Sequence, residues 1–366
     1  MEILPKTLGT RPRLAVEVRA EGVVAARAED ATALLTAVAK ANLAEGAVAP
    51  GLKVGNILDR TAVTAALRKV LDGVAGSGRE RMRDVTVIVP DAAVRVLFVD
   101  FDQLPSKTAE ALPVVRFRLK KLLPFDADEA MVSYQVMSTG KDSVKLLAVA
   151  MPKIVLEEYE SAVLAAGYLP GAVLPSTLAA LAGVDETEAP VLVVNAGLGT
   201  VTTAIAQAGV LMLHRSVDMS VSGNAPLTVT SVLPVVSRES TAQEWARQEP
   251  LGPSGWDRFD AETAMQTSML ETAVTREIEA RAAAREVAQA VSVAAAYFED
   301  SLQRAPDQLL VAGTLGAEFL STTMEESGLE GLRVREMVEP GMIEPGAMAA
   351  SVPRGWLAGV RGALRS

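Results

Sequence analysis

Two stretches of the chain, one near residue 14 and one near residue 191, open in the same way. In RLAVEVRAEGVVAARAED, residues 13–30, Leu14, Val16 and Val18 alternate with their neighbours. Glu21-Gly22 then offers a turn, and Val23 starts a second extended run. This is a hairpin signature. Farther along, Val191–Asn195 reads as a buried strand, Ala196–Gly199 as a tight turn and Val201–Ala206 as a returning strand. Gln207-Ala208-Gly209 turns the chain again into Val210–Val217. No short-period repeat accompanies this doubling, so it points to two related domains of similar size rather than a solenoid.

The segments between them alternate strands and helices. Asp30 can cap a helix carrying Leu34, Leu35, Val38 and Ala41 on one face. Gly51–Asp59 is a short strand candidate ending in a cap, and Val63, Ala66, Leu67, Val70 and Leu71 follow helical spacing. GVAGSGRERMRD reads as an exposed loop. Val85–Val89 suits a buried strand and Val94–Phe101 another. Thr108–Leu123 is expected to be a helix with Leu112, Val115, Leu119 and Leu122 inward, its basic residues Arg116–Lys121 on a solvated face, and Pro124 beyond its end. Met131–Met137 and Ser143–Met151 read as paired strands, and a helix from Lys153 ends at Gly167. Residues 236–260 read as a polar loop or small insert, and 261–303 as the longest helical tract, with Ile278, Val287, Val291, Ala294 and Phe298 packing inward. Gln308–Ala312 is a strand leading through Gly313-Thr314 into a helix over Leu315–Ser327.

Composition removes whole classes of chemistry. The 366 residues contain no cysteine, so disulfides, thiolate catalysis, iron–sulfur clusters and cysteine zinc sites are excluded. The one histidine, His214, cannot form a histidine metal cage, and a serine triad would depend on it alone; a structural or surface role is expected. With 35 basic and 45 acidic residues the formal charge is −10, which opposes general binding to nucleic acid. No apolar run approaches the ~20 residues of a transmembrane helix, and MEILPKTLGTRPR lacks a signal-peptide core, so a cytoplasmic location is expected. There is no Walker loop and no zinc-protease motif.

The order of certain pieces carries a resemblance. VTVIVPDAAVRVLFVDFDQLP is followed by a helix, then by KKLLPFDADEAMVSYQVM and by KLLAVAMPKIVLEEYESAVLAAGYLPGAVLPSTLAAL. Leu123-Pro124-Phe125, Tyr134, Ala148–Ala150, Lys153, Tyr159 and Ala166-Gly167 fall in the order of a known family, and the closing AGVRGALRS is similar to its C-terminus. Over nearly its whole length the chain resembles PilM, the actin-like cytoplasmic protein of type IV pilus assembly, and more distantly FtsA. The resemblance implies an α/β, two-lobed actin-like (ribonuclease H-like) fold with an extra FtsA/PilM-type subdomain. On that reading residues 13–83 begin the first domain, 84–170 form the extra subdomain and 171–189 are a crossover. Residues 190–345 form the second domain with an insert near 236–303, and 346–366 return to the first domain.

In such a fold each opening hairpin holds nucleotide phosphate on backbone N–H groups, which requires small residues for close approach. The family's first loop, roughly Asp-Ile-Gly-Ser-Ser-Ser, aligns with Glu17-Val18-Arg19-Ala20-Glu21-Gly22. Arg19 replaces the glycine and either crowds phosphate out or reaches toward an anion, and Glu21 repels phosphate. The second loop keeps Gly197, Gly199 and Thr200, but Asn195 stands where an aspartate positions magnesium, and an amide is a poorer partner for that cation. The adenosine Gly-Gly becomes Ala312-Gly313. The candidate cofactor-binding residues are therefore Asn195, Gly197, Gly199, Thr200 and Gly313. Their cofactor is either none or ATP with magnesium, and nucleotide binding is expected to be weak or lost.

The resemblance implies a scaffold rather than an enzyme, gripping the N-terminal cytoplasmic peptide of a PilN-like membrane protein and lying against the inner membrane through that partner. The groove implied lies between the first domain and its extra subdomain. Other pilus assembly proteins or a second copy are further possible partners. The alternatives are an active, filament-forming actin-like ATPase and a GspL-like component of a type II secretion platform. The latter carries a transmembrane helix after this region, and none is expected here.

Overall fold

The computed structural model describes residues 12–76, 83–141, 143–185, 189–197, 199–219, 282–329, 331–347 and 352–365. The expected polar loop at 236–260, the helical tract up to residue 281 with Ile278, and most of the charged loop before Asp84 lie outside the described residues.

The two hairpin openings grow into two sheets of identical order. The first contains β1 (Leu14–Arg19), β2 (Gly22–Ala28), β3 (Leu35–Asn42), β4 (Asp84–Val89) and β8 (Leu169–Pro175), arranged β3-β2-β1-β4-β8. The second contains β9 (Val191–Ala196), β10 (Thr200–Gln207), β11 (Val210–Asp218), β12 (Gln308–Gly313) and β13 (Arg333–Glu336), arranged β11-β10-β9-β12-β13. In both, the first three strands run antiparallel and the last two join in parallel. Ala208 and Gly209 both adopt positive φ, 48° and 74°, which suits the twist of a tight hairpin between β10 and β11.

The central strands of both sheets are buried on both faces, as the mostly apolar runs of β2, β4, β9 and β12 reflect. On β1, Leu14, Val16 and Val18 face α1 (Arg60–Val74) and α3 (Lys153–Ala165) in one core. Ala15 faces α7 (Ala358–Leu364) in another, with Trp356, Leu357 and Val360. Period-2 alternation places Glu17 and Arg19 on that second face. The chain's last helix thus seals the first sheet. The second sheet packs against α5, a helix over 282–302 that buries Val287, Val291, Ala294 and Phe298, and against α6 (Ala317–Glu326). α4 (Ser176–Ala182) joins the two lobes: Ala179 and Ala180 pack with α7, while Leu178 and Leu181 pack with Val191 and Val193.

A third sheet, β5-β7-β6, is built from β5 (Arg95–Phe101), β6 (Ala130–Thr139) and β7 (Val144–Pro152). It carries α2 (Thr108–Leu119) over Val99, Val132 and Leu146. β4 and β8, at the two ends of the range 84–175, are strands of the first sheet.

Three local expectations are corrected. Residues 35–42 form β3, not a helix: pairing with β2 overrides the weak helical spacing of an Ala-rich segment. Asp30 instead stabilises a turn, accepting from the Leu34 N–H and the Thr32 hydroxyl. Gly51–Asp59 is a loop with one bridge, Val48 to Ile57; the Glu158 carboxylate binds the N–H groups of Gly55, Asn56 and Ile57, and Asp59 caps α1. Arg116 is not on the solvated face, because its guanidinium donates to the carbonyls of Ala127 and Ala130; Leu122 is exposed. Among the described residues no helix is long and apolar enough to cross a membrane.

Candidate functional site

The ends of β1 and β9, equivalent strands of the two lobes, face each other across a cavity of about 330 Å³. Its lining includes Arg19, Glu21, Asp91, Ser176, Asn195, Gly197, Gly199, Thr200 and Asp218. Four of the five residues singled out in the sequence, Asn195, Gly197, Gly199 and Thr200, therefore meet here. Gly313 does not line the cavity and lies behind it, at φ 101°, where a Cβ would sit 2.2 Å from the Ala196 carbonyl oxygen. That glycine is required by contact between neighbouring strands.

Arg19 is 7% exposed and its side chain lies between the lobes. One terminal nitrogen is 2.6 Å from a Glu17 carboxylate oxygen and donates to the Ser176 hydroxyl at 3.0 Å. Both terminal nitrogens donate to Asn195 Oδ1 at 3.3 Å. Glu17 is fully buried; burial pushes its carboxyl up, while Arg19 and then the Ser176 hydrogen bond pull it down. The net direction is upward, because desolvation of a carboxylate outweighs one guanidinium.

The polar network extends through the first turn of α4. Ser176 donates its hydroxyl proton to Glu17, and Thr177 donates its own to Asp91. Asn195 Nδ2 then donates to Ser176 Oγ at 2.8 Å and to Thr177 Oγ1 at 3.0 Å. Asp91 lies in a 3-10 turn, Asp91–Ala93, between β4 and β5, and also accepts from the Thr177 N–H. Sequence reasoning missed Asp91, Ser176 and Thr177. Their signals are a carboxylate just after the buried strand VTVIVP and a Ser-Thr pair opening α4 after Pro175.

A second contact crosses the cavity from Glu21. Thr314, just after β12, donates its hydroxyl to Glu21 Oε1 at 2.8 Å. A Cβ placed on Gly197 would lie 2.9 Å from that same oxygen. The small residue in the second loop is therefore approached closely by a carboxylate of the first. The Gly197 N–H is already committed to the Thr200 carbonyl. Three carboxylates, of Glu21, Asp91 and Asp218, line the cavity against one guanidinium. Among the described residues no group of three or more His, Cys, Asp or Glu side chains is placed to hold a metal ion.

No protein-family profile matches the chain, and no curated protein does. Among solved structures, the PilM-PilN type IV pilus biogenesis complex matches with a TM-score of 0.67 at 15% identity, covering 96% of this chain and 98% of that one. The chain has a PilM-like, actin-like fold. At this identity the likeness is one of fold. More distant matches are the ethanolamine utilization protein EutJ from Carboxydothermus hydrogenoformans (TM-score 0.45, 11% identity, 98% of this chain and 90% of that one) and the cytoplasmic domain of EpsL of the Vibrio cholerae type II secretion system (TM-score 0.37, 15% identity, 56% and 71%). The PilM-like fold comprises the two lobes and the added three-stranded sheet, and the cavity lies where the two opening hairpins meet.

Proposed function

We propose that this chain is a scaffold of a type IV pilus assembly complex that holds the N-terminal cytoplasmic peptide of a PilN-like membrane protein, with weak or lost nucleotide binding. The observation that carries this reading is the end-to-end match to a structure described as a PilM-PilN complex. The added sheet supplies a physical means of capture. Among the described residues β5 lies at its edge and pairs with β7, and Phe98 on that strand is 43% exposed. An extended peptide could add backbone hydrogen bonds to such an edge and place an apolar side chain beside Phe98. The protein would then lie against the inner membrane through its partner.

Loss of nucleotide binding is supported by the cavity itself. Arg19 and Glu21 fill the approach to both loops, and the carboxylates there oppose phosphate. A second reading, an actin-like ATP-binding protein, is favoured by the remaining cavity and by Gly197, Gly199 and Thr200 on its wall. We keep the domain division expected from the sequence except that β4 and β8 belong to the first sheet, and if the second reading holds the candidate nucleotide contacts are Asn195, Gly197, Gly199 and Thr200 on the cavity wall, with Gly313 behind them against Ala196.

Fluorescence polarisation tests the scaffold: the N-terminal cytoplasmic peptide of a PilN-like membrane protein, labelled, should bind the purified chain, and Phe98→Ala should weaken it. Absence of a polarisation change would sink the scaffold reading. Isothermal titration with ATP and magnesium tests the rest; micromolar affinity would favour the second reading.

A further inference from the structure

We propose that the β1–β2 turn is an internal latch, in which Arg19 and Glu21 hold the two lobes together across the cavity with no nucleotide between them. This deepens the reading of a nucleotide-independent scaffold and rests on it.

The two side chains leave the same hairpin, Arg19 from the last residue of β1 and Glu21 from the two-residue turn, and both end on the other lobe. Arg19 reaches Asn195 at the end of β9, and Glu21 reaches Thr314 after β12. Each contact has one charged and one neutral partner, the kind of hydrogen bond that gains most when water is excluded. One terminal nitrogen of Arg19 is held by Glu17 and Ser176, so the guanidinium is oriented toward Asn195.

The chemistry of residue 195 fits this role. The hydroxyl protons of Ser176 and Thr177 are committed to Glu17 and Asp91, so both hydroxyls turn lone pairs toward Asn195. A carboxylate at 195 would accept from Arg19 but would face those lone pairs and the Asp91 carboxylate with nothing to donate. An amide satisfies both sides: its oxygen accepts from Arg19 and its NH2 donates to Ser176 and Thr177. The departures at residues 19, 21 and 195 are thus parts of one arrangement. They do not read as three independent losses.

Asp91 ties this network to the 3-10 turn that leads into β5. The latch therefore also fixes the root of the edge strand proposed to receive a peptide.

Hydrogen exchange on the full chain, free of nucleotide and peptide, tests the latch. Glu21→Ala removes the contact to Thr314, and Asn195→Ala removes the amide oxygen that accepts from Arg19. Amides of the β1–β2 turn and of residues 197 and 199–201 should exchange about tenfold faster in each variant, as expected for loss of one charge-assisted hydrogen bond, while β4 and β12 stay protected. If those turn amides exchange as in the natural chain while β4 and β12 stay protected, the latch is overturned. Should Asn195→Ala also lose protection in β4 and β12, the Glu21→Ala result alone decides. Micromolar binding of ATP by the natural chain would instead overturn the nucleotide-independent reading, so the two fail separately.

Discussion

Arg19 and Asn195, 176 residues apart, meet at the ends of equivalent strands, with both terminal nitrogens of the guanidinium 3.3 Å from one amide oxygen. In a fold made of two related halves, the loops that face each other are the natural place for a ligand. Here a side chain of one half occupies that place and bonds to the other. The buried Glu17 beside it makes the arrangement costly to disturb.

Removing Arg19 should show that cost. Arg19→Ala leaves the buried Glu17 carboxyl without a cation beside it, its hydrogen bond from Ser176 remaining. Breaking one side of a buried pair costs about 3–5 kcal/mol, so urea denaturation should show a loss of that order. A loss below about 1 kcal/mol would mean that water reaches Glu17 and that the pair is not sealed. Glu17→Gln in the same background should recover part of the loss, because the uncompensated charge is gone.

The pH dependence follows from the direction of the Glu17 shift. Burial raises its carboxyl above the ordinary 4.5. Between that value and the raised one, the folded state holds a proton that the unfolded chain has released. The Glu17 contribution is therefore complete below 4.5 and lost as pH rises through the folded value. Denaturation followed over this interval should show stability falling with pH relative to Glu17→Gln, where the contribution is absent. A flat difference between the two chains would refute the assignment.

His214 predicts the opposite slope. Burial pushes its imidazole below the ordinary 6.5, with Asp91 partly opposing. Below 6.5 the unfolded chain gains a proton that the folded chain refuses, so stability falls as pH drops toward the folded value. Because the sequence has one histidine, a single imidazole resonance reports it. Its midpoint by NMR should lie below that of a free peptide; one at or above 6.5 would show that Nε2 is hydrated rather than buried.

Much of this fold is legible in the sequence. The alternation at Leu14, Val16 and Val18 and the repeated opening at Val191 announce both sheets, and the inward faces of α1 and α5 follow their apolar spacing. β3 is not legible, because its alanines favour a helix locally and only pairing with β2 makes them a strand. The site is half legible. Alignment against phosphate loops flags residues 19, 21 and 195 as departures, but hydrogen bonds spanning up to 293 residues decide what they do instead. Nothing local reveals that the Ser176 and Thr177 protons are already committed.

Gly313 illustrates how a retained motif residue can have a packing cause. A Cβ there meets Ala196 backbone atoms at 2.2, 2.7 and 2.8 Å, and the positive φ disfavours any other residue. Gly313→Ala should therefore destabilise the second lobe by about 2–4 kcal/mol, from steric overlap added to backbone strain. Thermal unfolding without any nucleotide reads this directly. An unchanged midpoint would return the glycine to a ligand-binding role.

The last prediction reverses the departures. If Arg19 and Glu21 are what keeps phosphate from the loops, then Arg19→Gly, Glu21→Ser and Asn195→Asp together should restore an open first loop and a carboxylate at 195. The Gly197 flank would be freed of the carboxylate now within 2.9 Å of its Cβ position. Glu17 would lose its guanidinium, so magnesium is supplied with the nucleotide to offset the charge. Titration calorimetry with ATP and magnesium should show at least about a tenfold gain in affinity over the natural chain, about 1.4 kcal/mol. Each single substitution should gain less, because either remaining side chain still blocks the approach. A folded triple variant, its far-UV circular dichroism unchanged, with no gain in affinity would mean that the cavity excludes nucleotide for a reason other than these three side chains.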